Sequence, residues 1–379
     1  MGAGTVTLFL CGDVMLGRGV DQVLPHPGDP ALREDRVRDA RGYVELAEAV
    51  SGPVPRPVPF SWPWGRALEV IEEAAPDVRI VNLETSVTRS DAFAPGKAVH
   101  YRMSPANVPA VAVARPDVCV LANNHVLDFG RPGLRETLDV LHGAGLRTAG
   151  AGRDADEAYA PAVVPVDGGR VLVFALGTMS SGIPPSWTAT AEQSGVAYLA
   201  EPSATTAEAV VRRVRQAKRP GDLAVVSVHW GSNWGHHVPR SHVGFAHTLV
   251  DGGVDVVHGH SSHHPRPVEV YRSRLILYGC GDFVDDYEGI AGYEEYRDDL
   301  RLACLLSVSP DGGRPSGLRM VPLRARRMRL EPAADEERAW LRETLERISD
   351  VGIALDSDGT LALASWTGGR PQENPVAPP

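Results

Sequence analysis

From residue 65 onward, apolar and polar positions repeat one grammar. A segment with helical spacing at 65–75 leads through Pro76-Asp77 into the run VRIVNLE, and one at 106–114 leads through Pro116-Asp117 into VCVLANNH. A third at 205–219 leads through Pro220-Gly221-Asp222 into LAVVSVHWG, and a fourth at 241–251 leads through Gly252-Gly253 into VDVVHGHSSHH. Helix, tight turn, then a β-branched apolar run predicts αβ units feeding a central sheet covered on both faces. The spacings are irregular, which excludes a solenoid. The fold class is α/β.

Other runs complete the outline. A first strand at 5–11 ends in Gly12-Asp13, and RVLVFALG is a further strand. PVEVYRSRLILYGCGDF predicts a hairpin turning near Arg272-Ser273, followed by the late strands LACLLSVS and GLRMVPLRARRMRL. A helix at 335–348 and a short strand near Leu361 close the chain. Residues 24–64 break the grammar with HPGDP and SGPVPRPVPFSWPW around one helical piece at 35–50, and read as an insertion: a substrate-facing lid or a surface excursion. The acidic run 282–299 predicts a solvated, partly ordered loop. The expected division is a principal domain at 1–330, a helix-and-strand extension at 331–368 and a disordered tail, PQENPVAPP with its flanking residues, at 369–379.

Composition narrows the classes. Of 379 residues, 43% are hydrophobic and 23% charged, the balance of an ordinary globular protein. A formal net charge of −10 excludes nucleic acid and anionic membrane as default partners. An anionic substrate stays open, because a bound metal reverses the local field. Cys11, Cys119, Cys280 and Cys304 lie far apart with no CxxC pair, and predict buried, reduced thiols. No apolar run reaches membrane-span length and the first residues carry no basic leader, so a cytoplasmic location is expected.

The chemistry collects at strand ends. Successive apolar runs finish in Asp13; in Asn82 and Glu84; in Asn123, Asn124 and His125; in His229; and in His260 and His263. Ligands of α/β sheets bind at the carboxyl ends of strands, so these groups converge. Carboxylates, an amide and imidazoles without thiolate suit Mn, Fe or Zn, one or two ions per chain. The candidate metal ligands are Asp13, Glu84, Asn124, His229, His260 and His263, whereas His258 and His264 stand equally between ligand and packing. Asp282 is a candidate for orienting a ligand histidine. Arg18 and Arg102 are candidate clamps for phosphate or carboxylate, or else ion-pair partners. Trp234 walls a substrate pocket or packs. GxSxG and P-loop motifs are absent.

The ordered motifs GD, NLE, NNH, HWG, GHSSH and GDF, spread over residues 5–309, resemble the CapA family linked to poly-γ-glutamate capsule synthesis, within the calcineurin-like metallophosphoesterase superfamily. The resemblance implies a four-layer α/β/β/α sandwich, with the hairpin and late strands in the second sheet. It implies Asp13 as first-metal carboxylate, Glu84 as bridging carboxylate, Asn124 as second-metal ligand and His125 as acid or transition-state donor. His229 takes the later ligand position, and His260 and His263 the Gly-His-x-His element. Two positions depart from the pattern: Met15 stands where Asp-x-His has its histidine, and GHSSH is one residue longer. The implied function is a metal-dependent hydrolase directing metal-bound hydroxide at a phosphoester or an amide, on an anionic small-molecule or polyglutamate-type substrate. The alternative is a non-hydrolytic accessory protein of poly-γ-glutamate synthesis or transport.

Overall fold

Apolar residues occupy both faces of the central strands, so each sheet must be covered twice. The computed structural model, which describes residues 4–309 and 313–364, meets this demand as an α/β sandwich. Six strands carry or border the polar groups at the sheet ends: β1 (Val6–Val14), β2 (Val78–Leu83), β3 (Val118–Val120), β4 (Leu223–His229), β5 (Val256–His260) and β6 (Asp282–Val284). In one sheet, the strands Arg314–Arg326 and Leu300–Ser309 lead to β1, β2, β3 and Arg147–Ala149. In the other, Gly169–Thr178, β4, β5, Arg274–Leu277 and Val268–Tyr271 are neighbours.

Alternation along the strands builds three apolar cores. Leu8, Ile80, Val120, Val225 and Val256 fill the space between the sheets. Phe9, Val81 and Cys119 turn outward against the helices Arg41–Ser51, Arg66–Ala74 and Gly130–Gly143. Val226 and Val257 turn outward on the other side, against Ala204–Ala217 and Arg240–Asp251. The layers therefore run helix, sheet, sheet, helix. Leu341 and Leu345 of the helix Asp335–Ile348 enter the inter-sheet core, and Leu361–Leu363 pairs with Arg314–Arg326.

Some expectations need correction. The hairpin lies in the second sheet, but the late strand Leu300–Ser309 pairs antiparallel with β1, Val6 facing Val308, and so belongs to the first. The helix Gly130–Gly143 went unforeseen because Gly130, Pro132 and Gly133 crowd its first turn. The span 106–114 holds only a 3₁₀ turn, Pro105–Asn107, and the four-residue helix Pro109–Ala112. The helix foreseen from residue 35 begins at Arg41. The tail at 369–379 lies outside the described residues.

The acidic run is a solvated loop only at its tip, residues 289–295, while its start is buried. Asp285 and Asp286 are buried and pair with Arg301 and Arg18, which are themselves buried. Arg18 holds Asp286 at 2.5 Å and Glu34 at 3.3 Å, with the Tyr43 ring 3.5 Å from its guanidinium carbon. Three tyrosines then lay the run across the histidine segment: Tyr287 on His263, Tyr293 on Trp234 and Tyr296 on His264, with ring centroids 5.0, 3.8 and 4.6 Å apart.

One irregularity decides which way the site faces. Leu10 pairs with Ile80 but Asp13 with Asn82, so β1 carries one extra residue against β2. Such a bulge reverses the facing of everything beyond it. Asp13 thereby shares the inner face of Leu10, Ile80 and Asn82. Beside the bulge, a Cβ at Gly12 would lie 1.6 Å from the carbonyl oxygen of Gly281, so only glycine fits where β1 meets β6.

These buried polar groups have measurable consequences. Asp286→Ala strips Arg18 of its main partner inside the protein, and should cost about 3 kcal/mol in urea unfolding. His258, fully buried, links the sheets by donating from Nε2 to the Cys11 carbonyl at 2.9 Å, and burial pushes its pKa down to about 4. The fold thus favours the neutral ring. That stability is complete above the ordinary value near 6.5 and is lost as pH falls from there toward 4, in total about 3 kcal/mol. His258→Gln should flatten the stability profile measured between pH 7 and pH 4.

Candidate metal centre

Two rows of side chains meet between the carboxyl ends of the sheets. In the first sheet, Asp282, Asp13 and Asn82 are in-register neighbours on β6, β1 and β2. In the second, His229 and His260 are in-register neighbours on β4 and β5. Asp13, His229 and His260 offer three ligand atoms that all lie within 4.8 Å of one another, and all three residues are buried. Nδ1 of His229 is 2.8 Å from Nδ1 of His260, which is 3.8 Å from Oδ1 of Asp13.

Hydrogen-bond polarity can be followed into this cluster from the backbone. A carbonyl only accepts, so His258 donates to Cys11 from Nε2, and its Nδ1 accepts from the Ser227 hydroxyl at 3.0 Å. That hydroxyl then accepts from Nε2 of His260 at 2.9 Å. His260 is left with a bare lone pair on Nδ1. Nε2 of His229 meets Oδ1 of Asn124 at 2.9 Å, so the proton of that ring sits on Nε2 and its Nδ1 carries a lone pair as well, 3.5 Å from the Asn82 amide. Two lone pairs and a carboxylate oxygen face one centre, an arrangement that a metal ion would stabilise. Donors on a tetrahedral divalent ion stand about 3.3 Å apart, close to this spacing. The donor set, oxygen and imidazole without thiolate, fits Mn, Fe or Zn.

The carboxylates carry the same signature. Burial, then the charge of Asp282, raises Asp13 to about 7. Burial and Asp13 hold Glu84 well above the usual carboxylate range. Burial keeps His229 and His260 neutral, well below the ordinary imidazole value. Asn82 mediates between the acids: its amide NH₂ donates to Asp13 at 2.6 Å and to Glu84 at 3.3 Å.

Glu84 also borders a cleft of about 750 Å³, with Lys97, Asn124, His125, Ser261 and His263. Nδ1 of His125 bonds to Asp128 at 2.7 Å, leaving Nε2 3.7 Å from Oε1 of Glu84. Lys97 donates to Asp128 and to the Asn124 carbonyl and stands 3.0 Å from Nδ1 of His125. Burial and the Lys97 charge outweigh Asp128 and depress His125 to about 4.

The structure gathers Asp13, Glu84, Asn124, His125, His229 and His260 around this point. His263 is set to one side, its Nδ1 3.0 Å from Asp282 and its Nε2 2.9 Å from the Asn233 amide. Trp234 lines an adjoining cavity with Arg18, Tyr43, Tyr287 and Tyr293. Arg18 spends its guanidinium on Asp286 and Glu34; Arg102 spends its own on Asp91 and on the Asp29 and Ser90 carbonyls. Neither is a free clamp. His264 stacks on Tyr296, and His258 serves in the relay. Sequence reasoning missed Asp128, Lys97 and Ser227. Asp128, three residues after His125, had a visible spacing; Ser227 lies two residues before His229 on the same face; Lys97 stands in no motif.

Comparison with known proteins supplies the relationship. Residues 7–287 match the family described as bacterial capsule synthesis protein PGA_cap. A Mycobacterium tuberculosis protein named "probable polyglutamine synthesis accessory protein" is 54% identical over 346 residues, 91% of each chain. The capsule biosynthesis protein CapA of Bacillus anthracis is 26% identical over 74% of this chain and 60% of its own length. The PGA biosynthesis protein CapA of Bacillus subtilis is 25% identical over 93% of this chain and 83% of its own length. With three quarters of its length matched to one family, this chain belongs to the PGA_cap family of bacterial capsule synthesis proteins.

Proposed function

We propose that this chain is a metal-dependent hydrolase acting in the synthesis of a glutamate-polymer capsule. The observation that carries the reading is the pair of unprotonated imidazole nitrogens, 2.8 Å apart beside Asp13, at the edge of a cleft bordered by His125. Asp13, His229 and His260 would hold a divalent cation, with Glu84 and Asn124 next to it. Such an ion supplies Lewis acidity and lowers the pKa of water toward neutrality. Asp128 keeps one proton of His125 on Nδ1 and aims Nε2 at the cleft, where the ring, once it takes up a second proton there, would meet the charge or the leaving group of the substrate. Lys97 adds positive charge on the same wall. The reaction proposed is hydrolysis of a phosphoester or an amide, and the resemblance to the CapA family linked to poly-γ-glutamate directs the amide case toward γ-glutamyl bonds. Four free, buried cysteines suit a reducing compartment, the cytoplasm. No described helix is long and apolar enough to cross a membrane.

A second reading, an accessory protein without turnover, is favoured by the name of the mycobacterial relative. Protein purified without chelator should contain Mn, Fe or Zn by elemental analysis; a metal-free protein that also fails to bind added metal would sink the hydrolase reading. With phosphodiester, phosphomonoester and γ-glutamyl amide substrates, His125→Ala should lower kcat by about 10²- to 10⁴-fold. A fully metallated wild type inert toward all three would favour the accessory reading. Ser227→Ala removes the link that fixes the His260 tautomer, and should weaken metal affinity about 10- to 100-fold in chelator competition while the fold survives.

A further inference from the structure

We propose that the hydroxyl of Ser261 is a substrate-binding group, donating a hydrogen bond to an anionic oxygen of the substrate on a phosphoryl or a carboxyl group. This role rests on the reading of the cleft beside the histidine pair as the substrate site. It adds to that site a residue whose side chain takes no part in holding the ion.

Backbone strain points to it first. Ser261 has a φ of 97°, whereas the other described non-glycine residues with positive φ lie between 43° and 56°. Those values sit in or beside the left-handed well open to L-residues; 97° lies beyond it, where glycine is at ease. The turn itself has a use, because the Ser261 N–H donates to Oδ2 of Asp13 at 3.1 Å. Glycine would make the same bond without the strain. A serine kept there points to a task for its side chain, since strained residues of this kind collect at binding and catalytic sites.

The side chain has no such task inside the protein. Ser261 is only 5% exposed, yet its hydroxyl has no hydrogen-bond partner among the described residues. Nearby hydroxyls are all spent on backbone carbonyls. Ser262 donates to His264 at 2.9 Å, and Thr178 and Ser181 both donate to His229. A hydroxyl in so enclosed a place seldom goes without an acceptor, and here the acceptor has to come from outside the chain.

Position supplies the rest. Ser261 borders the cleft of about 750 Å³ together with Glu84, Lys97, Asn124 and His125. It follows His260 in the chain and is tied to Asp13 by its N–H, so it is fixed between two of the proposed ion ligands. Lys97 and Asn233 border the same cleft, but Lys97 is engaged by Asp128 and Asn233 by His263. A substrate oxygen drawn in by the ion and by the Lys97 charge would meet in Ser261 a donor already held in place. Donors held in this way act without reorganising when charge arrives.

Two substitutions separate the hydroxyl from the strain. Ser261→Ala keeps the strained backbone and loses the hydroxyl, whereas Ser261→Gly loses both and should melt at an equal or higher temperature. Calorimetric titration of Mn²⁺-loaded protein, freed of excess metal, with inorganic phosphate and separately with L-glutamate reads anion affinity without turnover. Both variants should bind at least one of these anions about 10- to 100-fold more weakly than the wild type, with unchanged Mn²⁺ content. A loss confined to phosphate assigns the hydroxyl to phosphoryl groups, and one confined to L-glutamate assigns it to carboxylates. Unchanged affinity in Ser261→Ala, a loss in Ser261→Gly alone, a loss that follows lost Mn²⁺, or a wild type that binds neither anion would overturn the proposal. The hydrolase reading is decided apart from this, by turnover of the three substrate types.

Discussion

Three carboxylates sealed from water at one set of strand ends are the constraint on which this structure turns. Asp13, Glu84 and Asp282 are each exposed by 2% or less. Each buried charge of that kind costs several kcal/mol unless donors or a counter-ion surround it. The protein's own groups meet part of the cost, through the Asn82 amide, the Ser261 N–H and the His263 ring. The remainder appears as resistance to ionisation, with Asp13 raised to about 7. A cation held there would offset this cost, which ties the proposed metal reading to energetics as well as to residue type.

Much of the surrounding architecture fixes which way each polar group points. Asn123 cannot flip, because its Nδ2 donates to the Leu83 carbonyl at 2.9 Å and its Oδ1 accepts from the His125 N–H at 3.2 Å. Its Nδ2 also donates to Oδ1 of Asn82, so Asn82 must present NH₂ to the acids and cannot offer a ligand oxygen in this orientation. On the opposite sheet, the relay from Cys11 through His258 and Ser227 fixes His260 in the same way. Both chains begin at backbone groups of regular strands, so the polarity of the site is set by the fold itself.

This also explains what was legible in the sequence. Asp13, Glu84, Asn124, His229 and His260 each end an apolar run, and in an α/β sheet that position alone brings them together. The α/β class was readable because β-branched runs alternated with apolar helices, whereas the four-layer order was implied only by the family resemblance of the ordered motifs. Orientation was not. Nothing in the sequence announces the bulge before Asp13 that turns it inward, nor that Ser227 and His258 share a hydrogen bond. The start of the acidic run misled for a related reason: composition suggests solvation, but Arg18 from a distant segment and Arg301 just beyond the run neutralise Asp286 and Asp285. Likewise Arg18 and Arg102 have the chemistry of clamps, and only three-dimensional pairing shows it already used.

The choice between a hydrolase and a non-catalytic metal protein comes down to one atom. Holding a cation needs Asp13, His229 and His260, and none of these touches Asp128. The Lys97–Asp128–His125 group has a structural task of its own: Asp128 accepts the Tyr101 N–H at 2.6 Å, and Lys97 ties down the Asn124 carbonyl. Those contacts account for Lys97, for Asp128 and for Nδ1 of His125. They do not account for Nε2, which is turned toward Glu84 and borders the cleft. Bracing uses Nδ1, through Asp128, and packing uses the ring face against Tyr101, 4.5 Å away; neither gives a task to a second nitrogen that faces the cleft. A donor positioned for a reacting group does need such a nitrogen, with an orienting carboxylate behind the ring and a free lone pair or proton in front. The geometry of His125 therefore weighs toward turnover, independently of how many ions the centre holds.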